Sequence, residues 1–160
     1  MLLELTSGAG SSLGSTFEEL AAIIEAVPEP HRSKLGICFD SCHAHVGAYD
    51  LVDDFDGVWR AFDDVLGLDR ISLLRLNDVK TPRASRRDRH DHIGAGHLGL
   101  EPFRRLVTED RFRAVPKLLE TPKEKDPVAM DRMNLDTLRR LRREGRGEPV
   151  DGTGDDLVYS

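Results

Sequence analysis

The fold of this chain follows from the stretch Leu35-Gly36-Ile37-Cys38-Phe39-Asp40-Ser41-Cys42-His43. An apolar run of strand length ends there on a carboxylate, and a histidine follows three positions later. Three other apolar runs carry a carboxylate at or near their carboxyl ends, and they are Met1–Leu5 with Glu4, Ile71–Leu76 with Asp78, and Val115–Leu119 with Glu120. Helical patterns separate these runs, and that alternation predicts parallel strands with helices packed outside them.

Four stretches with helical spacing of apolar residues connect or follow the strands, and we expect helices over 17–27, 55–66, 100–107 and 128–141. Ser15 and Thr16 offer hydroxyls to cap the first helix. The segments 41–52 and 79–99 have no apolar periodicity and are predicted to be loops. A complete (β/α)8 barrel takes eight βα units and about 250 residues. The prediction is therefore an α/β fold, half of a (β/α)8 TIM barrel with four βα units.

Composition and charge exclude several classes of protein. The chain has 160 residues, 39% of them hydrophobic and 32% charged, as in one globular domain. The net charge of −6 argues against a globally basic nucleic-acid binder but leaves room for a local basic patch. Half of the excess negative charge lies in the Gly-rich segment 145–160, which we expect to be a disordered tail after a domain over 1–144.

No part of the sequence has the features of a membrane protein or a disulfide scaffold. No apolar run is long enough to span a bilayer, and the first residues carry no signal-like basic segment. The two cysteines, Cys38 and Cys42, are interpreted as reduced thiols. We therefore expect a cytoplasmic location and no membrane partner.

Carboxylates at the carboxyl ends of parallel strands converge on one edge, where α/β folds build their sites. Glu4, Asp40, Asp78 and Glu120 would repel one another there unless cations neutralised them. Two carboxylate–histidine pairs, Asp40 with His43 and Asp88 with His90, supply imidazole ligands as well. Oxygen and imidazole ligands together suit zinc, manganese or iron rather than calcium.

Other polar residues in the loops have simpler interpretations. His45, His92 and His97 are expected to be exposed loop histidines, and Cys42 a small buried thiol rather than a ligand. Basic residues cluster beside the second carboxylate–histidine pair, namely Lys80, Arg83, Arg86, Arg87 and Arg89. Such a run is usually solvated surface, but its position favours recognition of phosphate by guanidinium groups.

Several motifs, taken in order and spacing, resemble the C-terminal half of endonuclease IV, a family of deoxyribonuclease IV-type apurinic/apyrimidinic (AP) endonucleases (AP endonuclease family 2) within the xylose isomerase-like TIM barrel superfamily. They are Leu2-Leu3-Glu4, Gly8-Ala9-Gly10-Ser11-Ser12-Leu13-Gly14, Cys38-Phe39-Asp40-Ser41-Cys42-His43, Leu76-Asn77-Asp78, Asp88-Arg89-His90 with Ile93-Gly94, and Leu118-Leu119-Glu120-Thr121. The resemblance covers about residues 1–125. It implies a zinc-bound (β/α)8 barrel that cleaves double-stranded DNA 5′ to abasic sites during base excision repair.

The resemblance also implies a role for individual residues. Glu4 matches a glutamate that bridges two of three zinc ions, and Asp40 and Glu120 match ligands of one of those two. The third zinc is held in the family by the counterparts of His43, Asp88 and His90. Catalysis is thereby assigned to Glu4 and Glu120, and DNA binding to the basic residues Arg87 and Arg89.

Two departures from the family bear on activity. The first four βα units of the family barrel have no counterpart here, and two histidine ligands of one zinc belong to that missing half. In addition, Arg75 stands where the family has a histidine ligand, and a guanidinium cannot bind a metal. We expect its side chain to point toward Glu4, Asp40 and Glu120 and to form ion pairs there. One intact metal trio, His43, Asp88 and His90, remains.

Three interpretations follow for the function. The chain is an endonuclease IV-type protein whose other half is missing or separately encoded, a non-catalytic remnant or binding module of the same fold, or a xylose isomerase-like enzyme acting on a sugar. The nuclease motifs favour the first, whereas Arg75 and the missing units favour loss of activity. The open strand edges of a half-barrel predict association with a missing N-terminal half or self-association.

Overall fold

Four parallel strands form a sheet at the centre of the structure, a computed structural model that describes residues 1–124 and 126–147. In chain order the strands are β1 (Leu2–Glu4), β2 (Gly36–Asp40), β3 (Ile71–Arg75), β4 (Asp78–Val79), β5 (His90–Asp91) and β6 (Lys117–Leu118). The sheet has the order β1-β2-β3-β6, and each neighbouring pair is parallel. The predicted half-barrel of four parallel strands is therefore confirmed.

Helices cover the sheet and lie between its strands in the chain. They are α1 (Phe17–Ala26), α2 (Glu29–Arg32), α3 (Ser41–Val46), α4 (Phe55–Leu66), α5 (Glu101–Thr108) and α6 (Pro127–Arg146). Thr16 caps α1 as predicted, because its side chain accepts a hydrogen bond from the Glu19 N–H. Helix α6 includes Gly145 and Arg146, the first two residues of the predicted tail. Residues 148–160 of that tail lie outside the described residues.

Two segments that were predicted as loops contain regular structure. Residues 41–46 form α3, a helix too short for apolar periodicity to reveal. Within 79–99, β5 pairs antiparallel with β4, and Val79 lies opposite His90. This two-stranded hairpin brings His90 back to the carboxyl edge of the main sheet.

An aromatic cluster joins the sheet to its helices. Trp59 of α4 packs against Phe39 of β2 and against Phe112, with ring centroids 4.5 and 4.6 Å apart, and Phe62 of α4 meets Phe17 of α1 at 5.1 Å. All five side chains are at most 1% exposed. Each such burial stabilises the fold by about 2–3 kcal/mol. This core lies between the sheet and its helices, so the carboxyl ends of the strands remain free to carry polar groups.

Candidate metal centre

The register of the sheet brings four charged side chains to one edge. Glu4 lies opposite Cys38, two residues before Asp40, and Asp40 lies opposite Arg75 on the next strand. Arg75 in turn lies opposite Leu118, so Glu120 follows two residues beyond the pair. Parallel strands thus gather Glu4, Asp40, Arg75 and Glu120 as the sequence predicted.

The β2–α3 junction positions His43. Asp40 ends the strand and caps the helix, because its Oδ1 accepts hydrogen bonds from the N–H groups of Cys42 at 2.7 Å and His43 at 3.2 Å. This places His43 in the first turn of α3, directed back over the strand ends. Burial raises the pKa of the fully buried Asp40, while the neighbouring His43 and His90 and these N–H donors oppose that rise.

The orientation of the His43 ring follows from its contact with the backbone. Its Nδ1 lies 2.8 Å from the Leu5 carbonyl oxygen, so Nδ1 carries a hydrogen and donates. Its Nε2 lies 3.2 Å from Asp88 Oδ2. Burial alone would lower the pKa of His43, but the carboxylates of Glu4 and Asp40 raise it to about 9. The carboxylates of Glu4, Asp40 and Asp88 thus favour a positive charge on this ring.

His90 repeats this arrangement from the hairpin. Its Nδ1 lies 2.9 Å from the Glu120 carbonyl oxygen and therefore donates to it. Its Nε2 is buried and lies 3.1 Å from Asp88 Oδ1 without forming a hydrogen bond. The rings of His43 and His90 are 6.0 Å apart, with Asp88 between their Nε2 atoms.

These three residues fit a metal ion. One ligand atom from each of His43, Asp88 and His90 lies within 4.8 Å of the others. A backbone oxygen holds Nδ1 of each ring and thereby leaves the Nε2 lone pair for a cation, the usual outer support of metal-bound histidines. The Nε2 of His90 is buried and forms no hydrogen bond, so it is available to bind a metal ion. Three protein ligands leave a position open for water or substrate, as in catalytic zinc sites.

Arg75 lies between the carboxylates of Glu4 and Glu120. Its Nη1 is 2.5 Å from Glu4 Oε1, and its Nη2 pairs with Glu120 Oε1. The Arg75 side chain is 18% exposed, and the same Glu4 oxygen is 3.3 Å from His43 Nδ1. The pKa of Glu4 is lowered, most strongly by its hydrogen bond to His43 and also by Arg75, although burial raises it. The expected ion pairs of Arg75 thus form with Glu4 and Glu120, whereas Asp40 bonds to other donors.

Sequence reasoning missed the residue that connects these carboxylates. Asn77 is fully buried; its Nδ2 donates to Asp40 Oδ2 at 2.7 Å, and its Oδ1 accepts from the Glu120 N–H at 2.8 Å. The Ser41 hydroxyl bonds to both the N–H and the C=O of Asn77. The Leu76-Asn77-Asp78 motif pointed to this position, but nothing in the sequence assigned the amide its partners.

Asp78 was grouped with the metal-site carboxylates, and that grouping is wrong. Its carboxylate is buried and accepts backbone N–H bonds from Val79 and from three residues of the following loop, Gly94, Gly96 and Leu98. Burial raises its pKa, and these amides oppose the rise. Asp78 therefore organises the loop after the hairpin instead of facing the site.

The expectations for the other loop histidines and for the Cys42 thiol are partly correct and partly wrong. His97 is exposed, as expected, but His45 is only 5% exposed and lies in α3. His92 is partly buried and bonds to Asn134. Cys42 is a fully buried free thiol whose pKa is raised by burial, and its Sγ lies 3.6 Å from Asp88 Oδ1. It supports a ligand and is a neutral thiol.

The basic residues lie around the outside of the hairpin. Arg87 and Arg89 are exposed on either side of Asp88, and Arg89 Nη1 donates to the Asp88 carbonyl oxygen at 2.8 Å. Arg83 pairs with Asp50 at 2.9 Å and Lys80 lies 4.0 Å from Asp91, so these two face acidic partners. Arg87 and Arg89 form the rim nearest the trio.

Comparison with known proteins places this geometry in a family. The family described as "Xylose isomerase-like TIM barrel" matches residues 1–143. The chain belongs to the xylose isomerase-like TIM barrel family. Within it, the chain is 52% identical over 145 residues to "Probable endonuclease 4" of Geobacter sulfurreducens, covering 89% of this chain and 48% of that protein. It is 46% identical over 120 residues to the Bacillus subtilis "Probable endonuclease 4", covering 75% of this chain and 40% of that protein.

A solved structure of the same family agrees. The crystal structure of endonuclease IV from Thermus thermophilus superimposes with a TM-score of 0.76 at 35% identity, over 89% of this chain and 49% of that one. The resemblance to endonuclease IV is therefore confirmed. The chain spans about half the length of the relatives it matches, or less. Within the described residues, no helix is both long and apolar enough to cross a membrane.

Proposed function

We propose that this chain supplies the zinc-binding C-terminal half of the active site of an endonuclease that cleaves DNA 5′ to abasic sites. The observation that carries the proposal is the Asp88 carboxylate between two histidine Nε2 atoms whose Nδ1 atoms are held by backbone oxygens. The similarity to endonuclease IV supports the choice of substrate and a role in base excision repair. Such a role agrees with a cytoplasmic location.

In this proposal each side chain at the edge has one task. His43, Asp88 and His90 hold the metal, and the hydrogen bonds from Nδ1 to Leu5 and Glu120 keep both rings in the binding tautomer. When bound, zinc supplies Lewis-acid chemistry toward water and a phosphodiester. The pKa of Glu4 is lowered, so its carboxylate is ionised at neutral pH. We assign to Glu4 and Glu120 the role of acceptors for the protons of the attacking water.

Arg87 and Arg89 are proposed to hold the DNA backbone. Both side chains are exposed beside the trio, where planar guanidinium groups bind phosphate oxygens through paired hydrogen bonds. This local rim attracts DNA although the whole chain is acidic, because exposed charges beyond about 10 Å are screened at physiological salt. The partners proposed are thus double-stranded DNA with abasic sites and a second half-barrel that completes the site.

Binding of the zinc-loaded chain to a short duplex tests the DNA-binding part of the proposal. We expect tighter binding to a duplex with a tetrahydrofuran abasic site than to the intact duplex, measured by fluorescence anisotropy. Replacing both arginines (Arg87→Gln with Arg89→Gln) should weaken binding and reduce the slope of log affinity against log salt by about two. Arg60→Gln, at an exposed arginine of α4, is the matched control. Equal affinity for both duplexes, unchanged by the double variant, contradicts the proposal.

Cleavage requires both halves of the barrel in this proposal. A fusion of the chain to the remaining half of the Geobacter sulfurreducens relative should nick abasic DNA on the 5′ side, as read on a denaturing gel. His90→Gln and Glu120→Gln should each remove that activity. A fusion that folds and binds abasic DNA without nicking it favours a second candidate, a non-catalytic DNA-binding module. The Arg75 ion pairs with Glu4 and Glu120 are the observation that favours this alternative.

A further inference from the structure

Beside the trio, the described residues contain two more groups that could hold a metal ion: a second group, Glu4, Asp40 and His43, and a third, Asp40, Cys42 and His90, which depends on the buried neutral thiol of Cys42. Glu4, Asp40 and His43 bring a carboxylate oxygen, a second carboxylate oxygen and a ring nitrogen within 4.8 Å of one another. Glu120, two residues after β6 at the far edge of the sheet, is linked to this group through its ion pair with Arg75. The distances between ligand atoms are similar in this group and in the trio. The two candidate sites therefore differ only in which other groups their residues already contact.

In the second group each of the three residues already binds a group within the protein. Asp40 accepts at Oδ1 from the N–H groups of Cys42 and His43, and at Oδ2 from Asn77 Nδ2. The Nδ1 atom of His43 donates to the Leu5 carbonyl oxygen and has no lone pair to offer. Glu4 Oε1 lies against the Arg75 guanidinium. The trio differs, because its two Nε2 atoms face only the Asp88 carboxylate, which is itself a metal ligand, and the Nε2 of His90 forms no hydrogen bond.

The Arg75 guanidinium already does what a second cation would do. It joins carboxylates from the two opposite edges of the four-stranded sheet, Glu4 on β1 and Glu120 after β6, and it comes from β3 between them. Arginine keeps its charge at any physiological pH, and its planar fork matches carboxylate oxygens. A divalent cation bound to Glu4 Oε1 would lie beside this fixed positive charge and be repelled by it.

We infer that Arg75 takes the place of a metal ion, so that this edge binds one divalent cation, at the His43–Asp88–His90 trio, and none at Glu4 and Glu120. The inference deepens the proposed function and rests on its metal trio. The site would then contain a metal ion on one side and a guanidinium on the other. A phosphodiester that enters meets Lewis-acid chemistry on the Asp88 side only. On the Glu4–Glu120 side it meets a guanidinium, which neutralises charge but is not a Lewis acid, so that only the carboxylates there can accept protons from water.

Zinc titration of the 160-residue chain tests this inference without any assay of activity. The protein is stripped with a chelator and titrated with zinc alone, and zinc bound per chain is read by native mass spectrometry with far-UV circular dichroism as the folding control. The wild type should bind one zinc, Arg75→His should bind one more, and Arg75→Lys should behave as the wild type. The extra zinc of Arg75→His should disappear when Glu4→Gln is added.

A second variant keeps the inference falsifiable if Arg75→His does not fold. Glu4→Gln in the wild-type background should leave zinc binding unchanged, because Glu4 is not a ligand while Arg75 is present. A wild type that binds two or more zinc ions, a folded Arg75→His that binds no more than the wild type, or a loss of zinc in Glu4→Gln overturns the inference. If the trio is not the zinc site at all, His90→Gln should leave zinc binding unchanged. That result is distinct from the three that overturn the inference about Arg75.

Discussion

Asn77 Nδ2 donates to Asp40 Oδ2 at 2.7 Å in a fully buried pair that connects the end of β2 to the segment that follows β3. The other amide atom, Oδ1, accepts from the Glu120 N–H. Removing this side chain leaves a buried carboxylate oxygen and a backbone N–H without their partners. Asn77 is therefore the residue that sets the spacing between the carboxyl ends of β2 and β6.

Asn77→Ala should lower the free energy of unfolding by about 2–4 kcal/mol, since each buried polar group left without a partner costs about 1–3 kcal/mol. Asn77→Asp keeps the size and should cost more, because it sets a second carboxylate against Asp40. Urea unfolding monitored by Trp59 fluorescence measures both. Thr137→Ala, which removes an exposed hydroxyl on α6, is the control. A loss of under about 1 kcal/mol in Asn77→Ala contradicts this role.

Zinc should stabilise the protein through the trio. We expect a rise in thermal midpoint on adding zinc, since a ligand at about one hundred times its Kd adds about 2.7 kcal/mol. His43→Gln and His90→Gln should each remove most of that rise, because two ligands hold the ion far less tightly than three. His31→Gln, at an exposed histidine of α2, should retain it. An undiminished rise in both site variants would show that zinc binds elsewhere.

The loop held by Asp78 depends on a glycine at position 96. A Cβ on Gly96 would lie 2.3 Å from the Val79 carbonyl oxygen and 2.5 Å from Asp78 Oδ1, and neither atom can move without breaking buried hydrogen bonds. Gly96→Ala should therefore cost on the order of 2 kcal/mol. It should also expose the amides of Gly94 and Leu98 to hydrogen exchange. Ala95→Ser, at the exposed neighbour, should leave both stability and exchange unchanged.

Lys117 makes stability depend on pH in the alkaline range. Its pKa is lowered from 10.5 to about 8, mainly by burial and also by the nearby charges of Arg142 and Arg146. Its Nζ donates to the carbonyl oxygens of Phe112 and Val115. Between these two pKa values the unfolded chain binds the proton and the folded chain does not. Stability should therefore rise as pH increases from about 8 toward 10.5.

Thermal unfolding of the wild type and Lys117→Met across this pH range measures that contribution as a difference between the two proteins. The variant should lack the rise that belongs to Lys117, whereas other alkaline titrations are common to both. Parallel curves for the two proteins would assign the pH dependence to other groups.

The edges of the sheet predict association of the chain. Within the described residues β1 and β6 each have one neighbouring strand in the sheet, and Leu2 and Leu118 on them are 45% and 44% exposed. Sedimentation velocity should detect self-association that Leu118→Lys reduces, since charge on an edge strand opposes pairing. Leu13→Lys, at an exposed leucine of the first loop, is the control. A monodisperse wild-type monomer would refute this expectation.

Local sequence was sufficient for most of the architecture. The apolar spacing of Phe55, Trp59 and Phe62 predicted α4 with its observed bounds, and Thr16 was recognised as a cap because capping involves only neighbouring residues. The apolar run that ends at Asp40 predicted both β2 and its place beside other strands. Repetition of this pattern determined the parallel half-barrel, since it depends on periodicity and turn chemistry within a few residues.

Contacts between residues distant in the chain were decided only by the tertiary structure. Asp78 and Asp40 look alike in sequence, each at the end of a strand. Yet Asp78 accepts hydrogen bonds from the N–H of its neighbour Val79 and from three more N–H groups, because a loop sixteen to twenty residues later folds over it. The hairpin that returns His90 to Asp88 and His43, and the pairing of Arg75 with Glu4 and Glu120, likewise join separate strands. A side chain's partners depend on which backbone lies within about 3 Å, the reach of a hydrogen bond. Sequence determined which residues arrive at this edge, and packing decided which of them pair with one another and which form the proposed metal trio.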